Sequence, residues 1–309
     1  MIACAPPTAL VRKSISLIIR VRRWRATTYA SWSQQQRLVD ELVVATNHFV
    51  HMNRAILQVN RVLSRSLPLA GAHGMLLKWR AWQAARFGEP EIRLLPYLVD
   101  PLRAAIDIGA AEGVYSFFLQ RLALRCIAFE PNPSLHLSLK RALPGIEIHQ
   151  AAVSAVEGNA TLRVPVVNGI PYTGWATIEP KNQLTELPPH VVEEIEVRTV
   201  RPDRMALGDI GFVKIDVEGH ELDVLAGLSA LLAKCLPNLI IEVGGARRGG
   251  SLAEVRGRLD PLGYIALRLD ERGLLKALTN DAEVGGSPNV IFIPMNGLLS
   301  DQTGSAGSI

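Results

Sequence analysis

A chain of 309 residues, 48% hydrophobic and 20% charged, carries enough apolar side chain to bury a full core. That excludes a disordered protein and predicts one large domain with an appendage. Three cysteines, Cys4, Cys126 and Cys235, stand far apart with no CxxC pair, which argues against a disulfide framework or a zinc site and predicts a reducing, cytoplasmic setting. The formal net charge of +4 is unevenly spread: Arg12, Lys13, Arg20, Arg22, Arg23, Arg25 and Arg37 make residues 1–39 a basic arm without an acid. Such an arm can meet an anionic surface, the inner membrane included, but has no apolar run long enough to span one.

Along the chain, Leu38, Leu42, Val43, Phe49, Ala55, Ile56, Val59 and Leu63 recur at three- and four-residue steps, predicting amphipathic helix across 33–67. His48 and His51 fall inside it and read as a solvated pair. A short helix over 75–87 carries Trp79 and Trp82, and glycine and proline at 88–90 punctuate before the core. From there strands and helices alternate: strand 104–108, helix 113–123, strand 125–129, helix 133–142, strand 146–149. TLRVPVV and EIEVRTV read as strands around a loop within 160–200. Strand 212–217, helix 220–234, strand 239–243, helix 252–262 and strands 264–269 and 289–294 complete the pattern. This alternation predicts a doubly wound α/β sheet of about seven strands. The organisation expected is an arm and helical region at 1–90, a catalytic domain at 91–296 and a loose tail at 297–309.

Two clusters carry chemistry. In AAIDIGAAEGVYSFF, residues 104–118, an apolar strand with an acid runs through a glycine turn into a helix, and the next strand ends in Glu130. A glycine turn admits a ligand to backbone amides, and an acid ending the second strand can accept two ribose hydroxyls. Dinucleotide enzymes need GxGxxG for the pyrophosphate, whereas here only Gly109 and Gly113 are present. S-adenosylmethionine has no phosphate, and its ribose, carboxylate and sulfonium suit a short loop flanked by Asp107, Glu112 and Glu130.

In FVKIDVEGHE, residues 212–221, alternation sets Lys214, Asp216 and Glu218 on one face. An unpaired buried charge is costly, so these groups must be paired or face the cleft at the carboxyl end of the strand. Asp216, Glu218 and His220 are the candidates to take a proton from an acceptor hydroxyl, with Asp216 and Glu218 as alternative ligands of a divalent metal. Glu221 reads as a favourable charge at a helix start. The loop GIPYTGWATIEP, 169–180, offers Tyr172 and Trp175 for stacking on a sugar ring. GGARRGG at 244–250 offers Arg247 and Arg248 to an anionic acceptor. The [DNS]PP[YFW] box of base-amine methylation, a Pro-Cys nucleophile and the YxxxK of short-chain reductases are all missing.

Over roughly residues 91–294 the chain resembles the FkbM-like S-adenosylmethionine-dependent methyltransferases. The resemblance rests on IDIGAAEGVYS at 106–116, AFEPNP at 128–133, AAVSAVEGNATL at 151–162, VKIDVEGHELDVLAG at 213–227 and LIIEV at 239–243. It implies a Rossmann-like class I methyltransferase, a seven-stranded sheet here preceded by a helical extension. It places Asp107, Gly109, Ala110 and Gly113 around the methionine part, Glu130, Pro131 and Asn132 on the ribose, and Ala152 and Val153 near the adenine. Asp216 would touch cofactor and acceptor, with Glu218, His220 and Glu242 bordering the acceptor. Family members often carry asparagine where Ala111 stands, and an LD pair where this chain has Arg201, Pro202 and Asp203. The implied reaction is O-methylation of a small-molecule or glycan acceptor, on a sugar hydroxyl of a glycan, glycolipid or secondary metabolite. Two other readings stand beside it: a non-catalytic module that binds a partner or a membrane, and an RNA ribose methyltransferase. The latter is disfavoured because the arm has only Trp24, Tyr29 and Trp32 to stack on bases.

Overall fold

The computed structural model describes residues 72–185, 187, 189–243, 251–270, 273–278 and 288–295. The basic arm, the 33–67 helical region with its two histidines, the GGARRGG run and the 297–309 tail lie outside the described residues. The chain divides into two compact units, Met1–Pro90 and Glu91–Ile309. The described part of the first is helix α1, Ala72–Gln83, which continues into a π turn at Ala84–Gly88. Trp79 and Trp82 stack on it with ring centroids 5.0 Å apart.

The second unit begins with short helical turns, among them α2, Leu95–Leu98, and then enters the core at β1, Ala104–Ile108, every residue of which is buried. There follow α3, Val114–Leu122, β2, Arg125–Phe129, α4, Pro133–Ala142, and β3, Glu147–His149. Asn132 starts α4 by accepting the Ser134 and Leu135 amides at 3.0 and 3.4 Å, with Pro133 preset for the first helical position. β4, Ala152–Val153, β5, Gly158–Val167, β6, Ile170–Pro171, and β7, Val191–Val200, build a separate four-stranded sheet in the order β4-β7-β5-β6. The main sheet resumes with β8, Ile210–Ile215, helices α5, Glu221–Gly227, and α6, Ser229–Cys235, then β9, Asn238–Glu242. Helix α7, Leu252–Leu259, and strands β10, Tyr264–Leu269, β11, Leu275–Ala277, and β12, Asn289–Pro294, complete it.

The main sheet has the order β11-β10-β12-β9-β8-β1-β2-β3. β9, β8, β1, β2 and β3 are parallel neighbours, while β12 runs antiparallel to both β9 and β10. Eight strands stand where seven are expected, because Leu275–Ala277 pairs antiparallel on the outer edge of β10. β8 and β1 are buried along their whole length, as expected of central parallel strands covered on both faces. The core joins Ile106, Val213 and Ile215 on these strands to Val224, Leu232 and Val255 on α5, α6 and α7.

Two boundaries differ from the sequence reading. β8 spans 210–215 rather than 212–217, because the chain turns after Asp216, with Glu218 at φ 52° and Gly219 at φ 108°. The helix expected over 220–234 is two. Asp203, from the turn after β7, accepts the Ala230 and Leu231 amides at 3.0 and 2.9 Å and so caps a new helix from outside. Gly227 closes the first helix where a Cβ would meet the Ser154 carbonyl oxygen at 2.3 Å. Among the described residues no helix is long and apolar enough to cross a membrane.

Candidate active site

Strand order reverses at β1 and β8: the chain leaves β1 toward β2 and β3 and leaves β8 toward β9 on the other side. The carboxyl ends of two such strands diverge into a crevice, the usual ligand position in an open α/β sheet. Gly109 lies at this point with φ 76°, and a Cβ there would be 1.8 Å from the Asp216 carbonyl oxygen. Only glycine fits both the backbone angle and the approach. The Gly109 and Ala110 amides donate to the Phe129 carbonyl at 3.0 and 3.1 Å, and Gly113 at φ 85° opens α3. Ala111 is itself left-handed, at φ 45°, a conformation that asparagine adopts more readily than alanine.

That turn is tied to the next strand by an acid. Glu130 is 4% exposed, and its carboxylate accepts the Ala111 amide at 2.7 Å through Oε2 and the Asn132 amide at 2.8 Å through Oε1. Burial raises its pKa to about 7 against the pull of those two bonds. Asp107, also buried, accepts the Ser116 hydroxyl at 2.5 Å, and desolvation lifts it to about 6. A serine in the first turn of α3 thus holds the acid near the end of β1.

A cavity of about 110 Å³ opens between these strand ends. Gly109, Glu130, Pro131 and Asp216 line it, as do Ala152 and Val153 of β4 and Glu218 and His220 beyond β8. Phe129, Leu162, Ala176 and Ile178 add apolar walls, the last three from the second sheet and its loop. Asp107, Ala110, Gly113 and Asn132 stand outside the lining; they hold the turn and start the following helices. Tyr172 precedes the 3-10 turn Thr173–Trp175 and Trp175 ends it, but of these four residues Thr173 and Gly174 are the ones that line the cavity. Glu242 ends β9 outside the lining, with carboxylate oxygens of Asp216, Glu218 and Glu242 all within 4.8 Å of one another. Burial, and then the charge of Asp216, raises the Glu242 pKa. These three acids are one of two groups among the described residues that could hold a divalent cation; Glu179, His220 and Asp223 are the other.

Lys214 resolves the charge expected on β8. Its side chain is 1% exposed, and the ammonium donates to Asn289 Oδ1 at 3.0 Å and to Asp216 Oδ2 at 3.3 Å, 5.0 Å from the centroid of the Tyr115 ring. It is paired, so burial is tolerable.

His220 is 9% exposed, with Nδ1 3.2 Å from Glu179 Oε2 and Nε2 3.0 Å from Ser154 Oγ. Asp223, one turn along α5, brings Oδ2 to 3.7 Å from Nδ1. The loop before it is clamped: the Glu218 carbonyl accepts from Thr177 Oγ1 at 2.9 Å and from Asn182 Nδ2 at 2.8 Å. Glu179, Ser154, Thr177 and Asn182 are not singled out in the sequence reading, although segments it quotes contain the first three. The one signal for Glu179 is a carboxylate set among apolar residues in ATIEP; the others show none.

The FkbM methyltransferase domain model matches residues 107–266. Methyltransferase sdnD of Sordaria araneosa is 27% identical over 170 residues, covering 44% of this chain and 64% of that protein. Methyltransferase 1 of Beauveria bassiana is 24% identical over 180 residues, covering 52% of this chain and 71% of its own length. The chain therefore spans less than two thirds of the first of these relatives. Among solved structures, the FkbM methyltransferase of Methylobacillus flagellatus aligns with a TM-score of 0.39 at 13% identity, over 76% of this chain and 58% of that one. A TehB-like methyltransferase of Corynebacterium glutamicum aligns at 0.38 and 14%, over 70% and 94%. The family match takes in more than half of the chain and runs from the glycine turn through the Asp216–His220 loop to β10; the chain belongs to the FkbM methyltransferase family.

Proposed function

We propose that this chain transfers the methyl group of S-adenosylmethionine to an acceptor hydroxyl, on a sugar of a glycan, glycolipid or secondary metabolite. The observation that carries the reading is a shared cavity with the Glu130 carboxylate at one side and the Asp216, Glu218 and His220 loop at the other. The residues fit the cofactor. Each Glu130 oxygen accepts one backbone amide, which leaves each a lone pair for a ribose hydroxyl. Phe129, Val153 and Leu162 are apolar surfaces suited to an adenine, and Asp216 and Glu218 suit a cationic sulfur.

When bound, the cofactor supplies a methyl group on a sulfonium, open to in-line displacement by an oxygen. The cavity walls must hold that oxygen in line, and such positioning contributes roughly 7–11 kcal/mol. Asp216, Glu218 and His220 are placed to take the hydroxyl proton, which adds about two to four decades of rate. A cytoplasmic location, which rests on the widely spaced cysteines, and contact with an anionic membrane through the arm at 1–39, which rests on the charge of that arm, belong to the same proposal.

The test uses the full chain. S-adenosylhomocysteine is titrated calorimetrically into the wild type and into Glu130→Ala, and methyl-labelled S-adenosylmethionine is then offered with a panel of methyl glycosides. Binding by the wild type, weakened at least tenfold by the substitution, and label in an ether product are expected. A wild type that binds no S-adenosylhomocysteine overturns the cofactor assignment; label on nitrogen or carbon overturns the acceptor class.

A further inference from the structure

His220 is held on both nitrogens, by a carboxylate on one side and a hydroxyl on the other, and these partners differ in what they can do. The Glu179 carboxylate only accepts, so the nitrogen facing it must carry a proton; the Ser154 hydroxyl can donate or accept, so the other nitrogen is free to be bare. Glu179 is 8% exposed and cannot turn away freely. Its Oε1 accepts the Lys181 amide at 3.1 Å, which leaves Oε2 for Nδ1 at 3.2 Å. The Glu179 amide is itself fastened to Thr177 Oγ1 at 3.0 Å, and Thr177 is fully buried. Asp223 Oδ2, at 3.7 Å from the same Nδ1, is too far to accept from it but places a second carboxylate on that side of the ring.

We propose that Glu179 is a positioning residue that fixes the proton of neutral His220 on Nδ1, so that Nε2 is the basic nitrogen, with Ser154 as its partner until an acceptor hydroxyl takes that place. The proposal rests on the O-methyltransferase reading above and names how one of its candidate bases is oriented. In the step it describes, the acceptor oxygen forms a bond to the methyl carbon, the carbon–sulfur bond breaks with its electron pair going to sulfur, and the hydroxyl proton goes to Nε2. The imidazolium so formed keeps its Nδ1 proton on Glu179. Residues from two elements far apart in the chain, the loop after β6 and the turn after β4, thereby set the chemistry of a residue at the start of α5.

The Lys181 amide gives this a sharp test, because it dictates how an isosteric amide would lie. In Glu179→Gln the side-chain oxygen stays on the Lys181 amide and the nitrogen faces His220, where it donates to Nδ1 and drives the ring proton to Nε2. Nitrogen-15 spectra of histidine-labelled full chain at alkaline pH, with S-adenosylhomocysteine present and His220 assigned by its absence in His220→Asn, report which nitrogen is bare. Hydrogen positions on such a ring are otherwise a matter of inference. The wild type is expected to show Nε2 bare, Glu179→Gln to show Nδ1 bare, and Ser154→Ala to keep the wild-type pattern. Methyl transfer to the glycoside acceptor is expected to fall about two to four decades in kcat in Glu179→Gln, with KM little changed. A wild type with Nδ1 bare overturns the proposal and points to a cation between Glu179 and Asp223. A pattern that moves in Ser154→Ala but not in Glu179→Gln overturns it too, as does a ring proton moved to Nε2 in Glu179→Gln with unchanged kcat. Failure to bind S-adenosylhomocysteine is read separately and sinks the methyltransferase reading, not the ring assignment.

Discussion

Replacing Glu221 by glutamine is expected to leave stability almost unchanged at pH 5 and to raise it at pH 8. The side chain is 1% exposed; Oε1 accepts the Gly219 amide at 2.9 Å, while Oε2 has no partner among the described residues. Burial is the chief cause that lifts the carboxyl from 4.5 to about 8; backbone bonds oppose it, and the charges of Asp216 and Glu218 reinforce it. The sign follows from where the proton sits. Below pH 4.5 the group is protonated in both folded and unfolded chains and costs nothing extra. Between 4.5 and about 8 the unfolded chain releases a proton that the folded chain keeps, so stability falls as pH rises; above that range the loss is complete.

Each pH unit in that window costs about 1.4 kcal/mol, so the ceiling by pH 8 is on the order of 5 kcal/mol. Glutamine keeps an oxygen for the Gly219 amide and never ionises. Asp107, Glu130 and Glu242, all raised by burial, tilt the wild-type profile the same way but cancel in the difference between the two proteins. Urea unfolding of both at pH 5, 6.5 and 8 measures it. The variant should gain steadily, reaching several kcal/mol at pH 8. A difference that does not change with pH would refute the reasoning.

Gly109→Ala is expected to lower the melting temperature by several degrees and to weaken S-adenosylhomocysteine at least tenfold, because its Cβ would meet backbone that cannot yield without moving the Asp216 loop. Thermal unfolding and calorimetry check it, and an alanine protein unchanged in both would show the crossing to be looser than its 1.8 Å implies. Glu130, raised to about 7, should make S-adenosylhomocysteine binding pH-dependent, since ribose hydroxyls donate to the ionised form. The dissociation constant should rise about tenfold per pH unit below 7 and level off above 8, and Glu130→Gln should bind weakly and without that slope.

The central strands were legible because β1, β2, β8 and β9 are short apolar runs between turn signals, and parallel strands buried on both faces leave that mark. β11 left none: LKA is three residues long on a sheet edge, where pairing with β10 and not burial defines it. The split between α5 and α6 was equally silent, since the apolar pattern continues through Leu228 and the cap comes from Asp203, more than twenty positions away. On the site, the glycine turn and Glu130 could be read because adjacent strands bring them together by local rules. Tyr172 and Trp175 drew attention as the conspicuous side chains of their loop, yet it is the small Thr173 and Gly174 that approach the cavity.

What the sequence concealed most fully is the second sheet's part in the site. Ser154 lies 66 positions from His220 and Glu179 lies 41, so no spacing rule connects them. Yet the same segment, Thr177 to Asn182, supplies the Glu218 clamp and the His220 carboxylate, and Ala176 and Ile178 beside it line the cavity. Glu218 sits at φ 52°, a conformation that a non-glycine residue keeps only where its surroundings enforce it. Two hydrogen bonds to its carbonyl provide that enforcement, so strain in the Asp216–His220 loop is set by a segment that takes no part in the glycine turn. The molecule therefore separates its two tasks: β1 and β2 fix the turn and Glu130, whereas the β6–β7 connection shapes the opposite wall and orients His220. On the proposed function, changes along that connection are expected to alter acceptor preference and to leave S-adenosylhomocysteine binding unchanged.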